Sequence, residues 1–286
     1  MKRYYLRTLI LSSIFSFIFF SNCDNGTDSG DNVSNTNYVA KESLSYKVAK
    51  GSNTKVRVVG ITGTIQITGA AQSDTVFIDA VKSVGSESTR DAEDHLPELM
   101  VTVEESSNEI LVKTTQPDDT HGRNYVVDYT INLPEDMLVT VINVTGTIEV
   151  NSIDNIVTVN NVTGTVTLNQ IVGNVSVVNV TGEIFSNEIT GNASLNLTTG
   201  NITSKVFLPL NGALTHNLVT GNINLSIPVN TSAQFSATVV TGNIGLSNLT
   251  LQDQQSSGKT LTGILGGGQG AISLGTVTGN INVIGF

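Results

Sequence analysis

The chain has no tryptophan, one cysteine, five prolines and three histidines in 286 residues, and aromatic residues make up only 5% of it. One cysteine excludes a disulfide within the chain. Basic residues are also few: 14 Lys and Arg stand against 24 Asp and Glu, a formal charge of -10, which repels nucleic-acid phosphates and anionic headgroups. Nucleic acid is therefore excluded as an expected partner. Charge of either sign nearly vanishes from the second half. Residues 141–286 carry only Glu149, Asp154, Glu183, Glu188, Lys205, Asp253 and Lys259, which leaves little material for acid–base catalysis. The histidines, His95, His121 and His216, lie far apart in sequence, and a lone histidine in a polar strand is more often structural than catalytic.

What fills the chain instead is Val, Ile, Thr, Asn and 27 glycines, the residues of short strands separated by turns, so helix content is expected to be low. Val-Thr-Gly or a near copy recurs from Val141 to Leu246. Gly146, Gly164, Gly182 and Gly200 are eighteen residues apart, and Gly221 and Gly242 follow at twenty-one. Each glycine precedes an alternating apolar run such as Thr147-Ile148-Glu149-Val150, and a weaker echo falls nine residues later at Asn155, Gly173 and Gly191. A fixed short period argues for a quasi-linear stack. The spacing predicts an all-β, single-stranded parallel β-solenoid, β-helix-like, with about 18 to 21 residues and two strands per coil. Aligned copies place Val144, Ile148 and Val150 over Val162, Val166 and Leu168, then Val180, Ile184, Ile202, Val219, Ile223, Val240, Ile244, and last Val277, Ile281 and Val283, as an interior column set. A second set aligns Ile153, Val157 and Val159 over Ile171, Val175 and Val177, then Ile189, Ala193 and Leu195. The corner glycines expected to need positive φ or close approach are Gly63, Gly146, Gly164, Gly182, Gly200, Gly221, Gly242 and Gly279. Asn143, Asn161 and Asn179 share one column and are expected to hydrogen-bond up the stack as an amide ladder.

The chain divides into four parts by composition. Residues 1–22 combine Lys2, Arg3 and Arg7 with a mostly apolar run from Thr8 to Phe20, the pattern of a secretory signal; the run is shorter than the roughly 20 apolar residues of a membrane span. Phe20-Ser21-Asn22-Cys23 resembles a lipobox, which implies cleavage between Asn22 and Cys23 and a covalent lipid on Cys23; ordinary cleavage nearby, with Cys23 a free thiol or discarded, is the alternative. Residues 23–37 are too polar and glycine-rich to pack and are expected to form a flexible tether. Residues 38–140 are expected to be opening turns of the same solenoid with one insertion. The run from Gly60 to Ile67 repeats the motif, strands follow at Thr75–Val81, Met100–Val103, Ile110–Thr114 and Tyr125–Leu133, and Asp91 to Leu99 is a candidate short helix that Pro97 limits. Residues 141–286 are the regular repeats.

Leu133-Pro134-Glu135-Asp136-Met137-Leu138-Val139-Thr140-Val141, the run of Val-Thr-Gly-x-Ile turns, and Gly258-Lys259 to Gly279-Asn280-Ile281 with its glycine-rich loop resemble the bacterial putative-adhesin domain of unknown function. The resemblance covers roughly residues 40 to 286. It implies a β-solenoid found in envelope proteins and, by its name, adhesion; it supplies no catalytic residues.

No metal is expected, because Gly266-Gly267-Gly268-Gln269-Gly270 has the glycines of a calcium-binding roll without its aspartates, and a solvated loop accounts for Asp91, Glu93, Asp94, Asp118 and Asp119. The only cofactor-like group expected is the lipid on Cys23. The expected function is an exported, lipid-anchored protein that is not an enzyme and acts by contact with a host surface, a glycan or an envelope protein, at the outer membrane, the cell surface or the periplasmic face. The alternative is an envelope scaffold that self-associates through its end coils, and a polysaccharide-degrading enzyme is the least favoured reading. The irregular parts, the insertion before Leu133 and the excursion from Leu249 to Gly270, are the candidate ligand regions.

Overall fold

The computed structural model describes residues 37–106 and 108–286. The signal segment, Cys23 and all of the tether but Asn37 lie outside the described residues. The chain is all-β, with one short helix and one large, mostly parallel sheet that does not close. The N-terminal strands are β1 (Tyr38–Ala49), β2 (Lys55–Val59), β3 (Ile65–Ala70) and β4 (Thr75–Ser86). After helix α1 (Thr89–His95) come β5 (Met100–Ser106), β6 (Glu109–Thr115) and β7 (Asn124–Pro134). The regular part runs through β8 (Leu138–Thr145), β9 (Ile148–Ile153), β10 (Val157–Thr163), β11 (Val166–Val172), β12 (Val175–Thr190), β13 (Ala193–Phe207), β14 (Ala213–Thr220), β15 (Ile223–Ile227), β16 (Ala233–Thr241) and β17 (Ile244–Ser247). The last strands are β18 (Gln252–Ser256), β19 (Thr260–Leu265), β20 (Gly270–Thr278) and β21 (Ile281–Gly285).

Successive strands alternate between two parallel ladders. In the first, β6, β2, β8, β10, the first half of β12, the first half of β13, β14, β20 and β16 lie side by side. In the second, the order is β7, β3, β9, β11, the second half of β12, the second half of β13, β15, β21 and β17. In the middle the register is the sequence period itself: Val139 pairs with Val157, Val157 with Val175 and Val175 with Ala193.

Sequence order and spatial order part company at both ends. The level made by β20 and β21 sits between that of β14–β15 and that of β16–β17, so the Val277–Val283 column lies inside the stack, where simple repeat counting places it last. At the other end the β2–β3 level sits between β6–β7 and β8–β9. Residues 38–140 also differ from plain opening turns, because β1–β4, β4–β7 and β5–β6 pair antiparallel.

Both ladders face one continuous core that includes Ile148, Val150, Val157, Val159, Ile184, Ile202, Ile223, Ile281 and Val283. The first residue of each Val-Thr-Gly is not in it. Val144, Val162, Val180, Val219, Val240 and Val277 are 42–64% exposed, which corrects their expected interior placement. The reason lies one residue earlier: Asn143, Asn161 and Asn179 point inward and are buried, so the chain has already used its inward position as it enters the corner. These amides form the ladder. Asn143 Nδ2 donates to Asn161 Oδ1 at 3.4 Å, Asn161 Nδ2 to Asn179 Oδ1 at 3.1 Å, and Asn179 Nδ2 to the Gly164 carbonyl at 2.9 Å. The column then turns apolar with Leu197 and Leu218.

All eight corner glycines have φ between 132° and 143°. At Gly164 the reason is contact as well as conformation: a Cβ there would sit 2.0 Å from the Gly146 carbonyl oxygen of the neighbouring level. No side chain fits between backbones stacked that closely.

The N-terminal end is covered by a polar cap. Ser88 caps α1 by accepting from the Asp91 amide at 3.1 Å. Arg123 then grips Asp91 with Nε and Nη2, both at 2.7 Å, and Ser86 donates to the same carboxylate. The Arg123 hydrogen bonds hold the Asp91 carboxyl well below the usual carboxylate range. Tyr125 donates to Glu98 at 2.8 Å, and burial followed by that bond pushes its phenol up to about 12. Tyr129 shares a 2.7 Å hydrogen bond with Thr114, and burial raises its phenol to about 12 as well.

Candidate functional site

The scarce charges of the repeats are not scattered in space. A groove of about 440 Å³ runs along one flank across several levels, lined by Glu135, Ser152, Asp154, Gln170, Val172, Glu188, Thr190 and Phe207. It therefore holds two of the seven charged residues of 141–286, Asp154 and Glu188. Lys205 stands beside them, with its Nζ 3.4 Å from Glu188 Oε1. In sequence Glu188 looks isolated among neutral turns, but the eighteen-residue register brings it within two levels of Asp154.

A backbone device builds the groove. Ser152, Gln170 and Glu188 carry φ of 58°, 54° and 58°, rare for residues with a side chain, and each falls between an Asn and an inward Ile near the end of a second-ladder strand. The extra residue lets Ile153, Ile171 and Ile189 return to the core while the residue before each is turned outward, as a β-bulge does. Ser152 Oγ and Gln170 Oε1 are linked at 3.3 Å across adjacent levels. In β13 the extra residue is gone: the register slips between Ser186 and Ile189, Val206 pairs with Ile189, and Lys205 fills the place where the bulge would stand. The bulged column thus ends in an ion pair. The adjacent column reads Val172, Thr190 and Phe207.

One end of the groove is aromatic. Phe207 meets Phe286 edge to face, with centroids 5.6 Å apart and planes at 83°, and Lys205 Nζ lies 5.8 Å and 5.0 Å from the two ring centres. Phe286 is held there by backbone bonds, donating to the Ile227 carbonyl at 3.1 Å and accepting from the Val229 amide at 3.1 Å. The opposite end is fixed by the turn before β8, where the Asp154 amide donates to the Glu135 carbonyl at 2.7 Å and Asn155 Nδ2 to the Asp136 carbonyl at 2.7 Å. The result is a shallow, net-acidic trough with hydroxyl and amide walls, an apolar strip at Val172 and an aromatic terminus. Carboxylates and amide oxygens accept hydrogen bonds from hydroxyls, and aromatic rings cover the C–H faces of sugars or apolar side chains. An anionic ligand would meet three carboxylates against one ammonium.

Of the two regions singled out in the sequence, the insertion before Leu133 folds into the N-terminal cap. The excursion from Leu249 to Gly270 forms the hairpin β18–β19, antiparallel against β16, and a second hollow of about 420 Å³ lies between it and β17. Its glycine run closes on Ser232, which accepts from the Gly267 amide at 2.9 Å and donates to Gln269. Among the described residues no group of three His, Cys, Asp or Glu side chains is arranged to hold a metal. His95 lies in α1 with Nδ1 2.8 Å from the Asp91 carbonyl, His121 is in a turn, and His216 is fully buried in β14. Burial pushes its imidazole down to about 3, and neither ring nitrogen has a hydrogen-bond partner among the described residues.

No protein-family model and no curated protein matches the chain. Solved structures similar to it include a putative cell adhesion protein from Clostridium sporogenes, 14% identical, covering 86% of this chain and 100% of its own, with a TM-score of 0.38. A putative adhesin from Bacteroides fragilis is 10% identical, with coverage of 86% and 97% and a TM-score of 0.38. A putative lipid binding protein from Parabacteroides distasonis is 10% identical, with coverage of 84% and 96% and a TM-score of 0.31.

Proposed function

We propose that this protein is an exported, lipid-anchored β-solenoid of the cell envelope that works by binding rather than catalysis, and that its flank groove takes a polyhydroxylated ligand, a glycan on a host or envelope surface. The two parallel ladders, with their eighteen-residue register and glycine corners, support the solenoid reading. The signal-like segment and Cys23 support export and anchoring. The observation that carries the ligand class is the convergence of Glu135, Asp154 and Glu188, with Ser152, Gln170 and Thr190 between them and Phe207 at one end, on a surface otherwise almost free of charge. Ring stacking on an aromatic edge combined with carboxylate acceptors is how a shallow trough holds a neutral sugar.

The chain from Asn37 onward contains every described strand and is the fragment to test on a glycan array and in a cell-binding assay. Binding that is lost in Phe207→Ala and in the Asp154→Asn, Glu188→Gln double variant, with the fold intact by circular dichroism, supports the reading. Absence of glycan and cell binding, or binding indifferent to those changes, refutes it. Mass detection of a diacylated Cys23 in the full chain tests the anchor separately.

A further inference from the structure

We propose that two copies of this chain join through their C-terminal ends, the free edge of β17 in each copy pairing antiparallel with β18 of the other around a two-fold axis parallel to the strands. The end of the stack is a step. Beyond the β16–β17 level the first ladder continues for two more strands, β19 and then β18, both antiparallel to their neighbours. The second ladder stops at β17, whose sole partner among the described residues is β21. One side of the β17 backbone is therefore unpaired, and its inward residues Ile244 and Leu246, with Leu249 after them, are only half-buried and look into the hollow under the hairpin. β18 is exposed along its whole length and, among the described residues, pairs only with β19.

A two-fold axis along the strands carries the first ladder of one copy to the side of the second ladder of the other while preserving strand direction. The overhanging hairpin of each copy then fills the step of its partner. β18 runs parallel to β16, after two antiparallel pairings, and hence opposite to β17, so the new β17–β18 contact is antiparallel and both free edges are satisfied at once. The step, apolar at Ile244, Leu246 and Leu249 and polar at Asn243, Gln254, Ser256 and Thr260, is closed by its own inverse.

Charge selects this arrangement over an open filament. The edges at the other end carry Lys41, Glu42 and Lys47 on β1 and Glu104 and Glu105 on β5, which is how an edge is protected from pairing. At the C-terminal end β17 has no charge and β18 has Asp253 alone. Setting the charged N-terminal edges on this step would desolvate Lys41, Glu104 and Glu105 among others, whereas joining two C-terminal ends brings in only Asp253 from each copy. β1 is the first described strand and lies at the far end of the stack, so an anchor at Cys23 would leave the open end distal to the membrane and the contact would join copies on facing surfaces. That placement rests on the proposed anchor; the pairing in solution does not.

The test is sedimentation equilibrium of the fragment from Asn37 over a range of concentrations, a readout independent of glycan binding. The fragment is expected to move from monomer to dimer and no further. Gln254→Glu, on an exposed strand where the monomer loses nothing, sets a second carboxylate beside Asp253 in each joint and should weaken association by at least about tenfold, as should Leu246→Glu. Glu104→Gln, at the other end, should leave it unchanged. A fragment monomeric at every concentration, a series extending past the dimer, or a dimer indifferent to Gln254→Glu would overturn the proposal.

Discussion

At its N-terminal end the stack is closed by long strands with charged free edges and by a helix tied down through Arg123, Asp91 and Ser86, while at its C-terminal end it runs out in a four-residue strand and a hairpin with almost no charge. Both ends share one topological habit, a level inserted out of sequence order, but only one adds side chains that seal the core. Tyr125 and Tyr129 bring their hydroxyls to Glu98 and Thr114, and Lys82, buried in β4, finds Glu42 on β1 at 2.6 Å. Nothing comparable among the described residues covers Ile244 and Leu246. Repeat stacks need their terminal coils covered, because every inner coil is covered by its neighbours and the last is not. A half-covered end is therefore the place where another chain can complete the fold.

The sharpest way to break this contrast is through glycine. A Cβ at Gly63, in the N-terminal levels, would sit 2.1 Å from the Val127 carbonyl oxygen, so Gly63→Ala should cost more than about 4 kcal/mol in urea unfolding. At Gly258, in the C-terminal hairpin, nothing lies within 4 Å, and only its φ of 78° opposes alanine, so Gly258→Ala should cost about 1 kcal/mol. Equal losses would show that the hairpin is as tightly packed as the cap.

Acid should separate the two halves next. The His216 imidazole is depressed to about 3 by burial, so the unfolded chain binds a proton near the ordinary 6.5 and the folded chain does not. The stability His216 allows is complete above pH 6.5 and is lost as pH falls toward 3, at about 1.4 kcal/mol per unit. Asp91, held low by Arg123, begins to lose its contribution only as pH drops through the ordinary carboxylate range, below the onset for His216. Protection factors should therefore fall in β14 and β20 near pH 5 while those of β1 and β4 hold. His216 pairs in register with Leu195 and Leu274, so His216→Leu should remove that slope between pH 5 and 6.5 and raise stability at neutral pH by about 1–3 kcal/mol, relieving two unpaired buried nitrogens. A smaller effect is expected at Tyr129→Phe, about 1–2 kcal/mol from the lost Thr114 bond. The smallest is Asp253→Asn on β18, within about 0.5 kcal/mol in the monomer.

Much of the ladder architecture is legible in the repeat. The columns through Ile148, Val157 and Ile153 follow from period-two alternation, and the asparagine ladder follows from identical spacing. The Val144 column reads as interior because hydropathy favours valine over asparagine for an inward position. The inward turn of Asn143 instead depends on the amides above it and on room under Gly60, where a Cβ would come within 2.6 Å of Asn143 Oδ1. The order of levels was hidden because an inserted level has the same pattern as its neighbours. A trace exists in the long gaps from Gly63 to Gly146 and from Gly242 to Gly279, which fall at the two ends. β1 is not legible although Leu44, Tyr46 and Val48 alternate, since its antiparallel pairing with β4 has no repeat to announce it. The groove is not legible for a different reason: its carboxylates meet only through the register, and the signal for its bulge, one residue between Asn and Ile in Asn151-Ser152-Ile153, Asn169-Gln170-Ile171 and Asn187-Glu188-Ile189, carries no chemical signature.

The difference between a sealed and an unsealed end is measured most directly by site-resolved hydrogen exchange on the fragment from Asn37, diluted until it is monomeric. The account predicts long protection for β8 to β13 and for β4, and rapid exchange at the outward amides of β17 and of β18. Protection of β17 equal to that of β11 in the monomer would contradict it, because the C-terminal end would then be as closed as the rest of the stack.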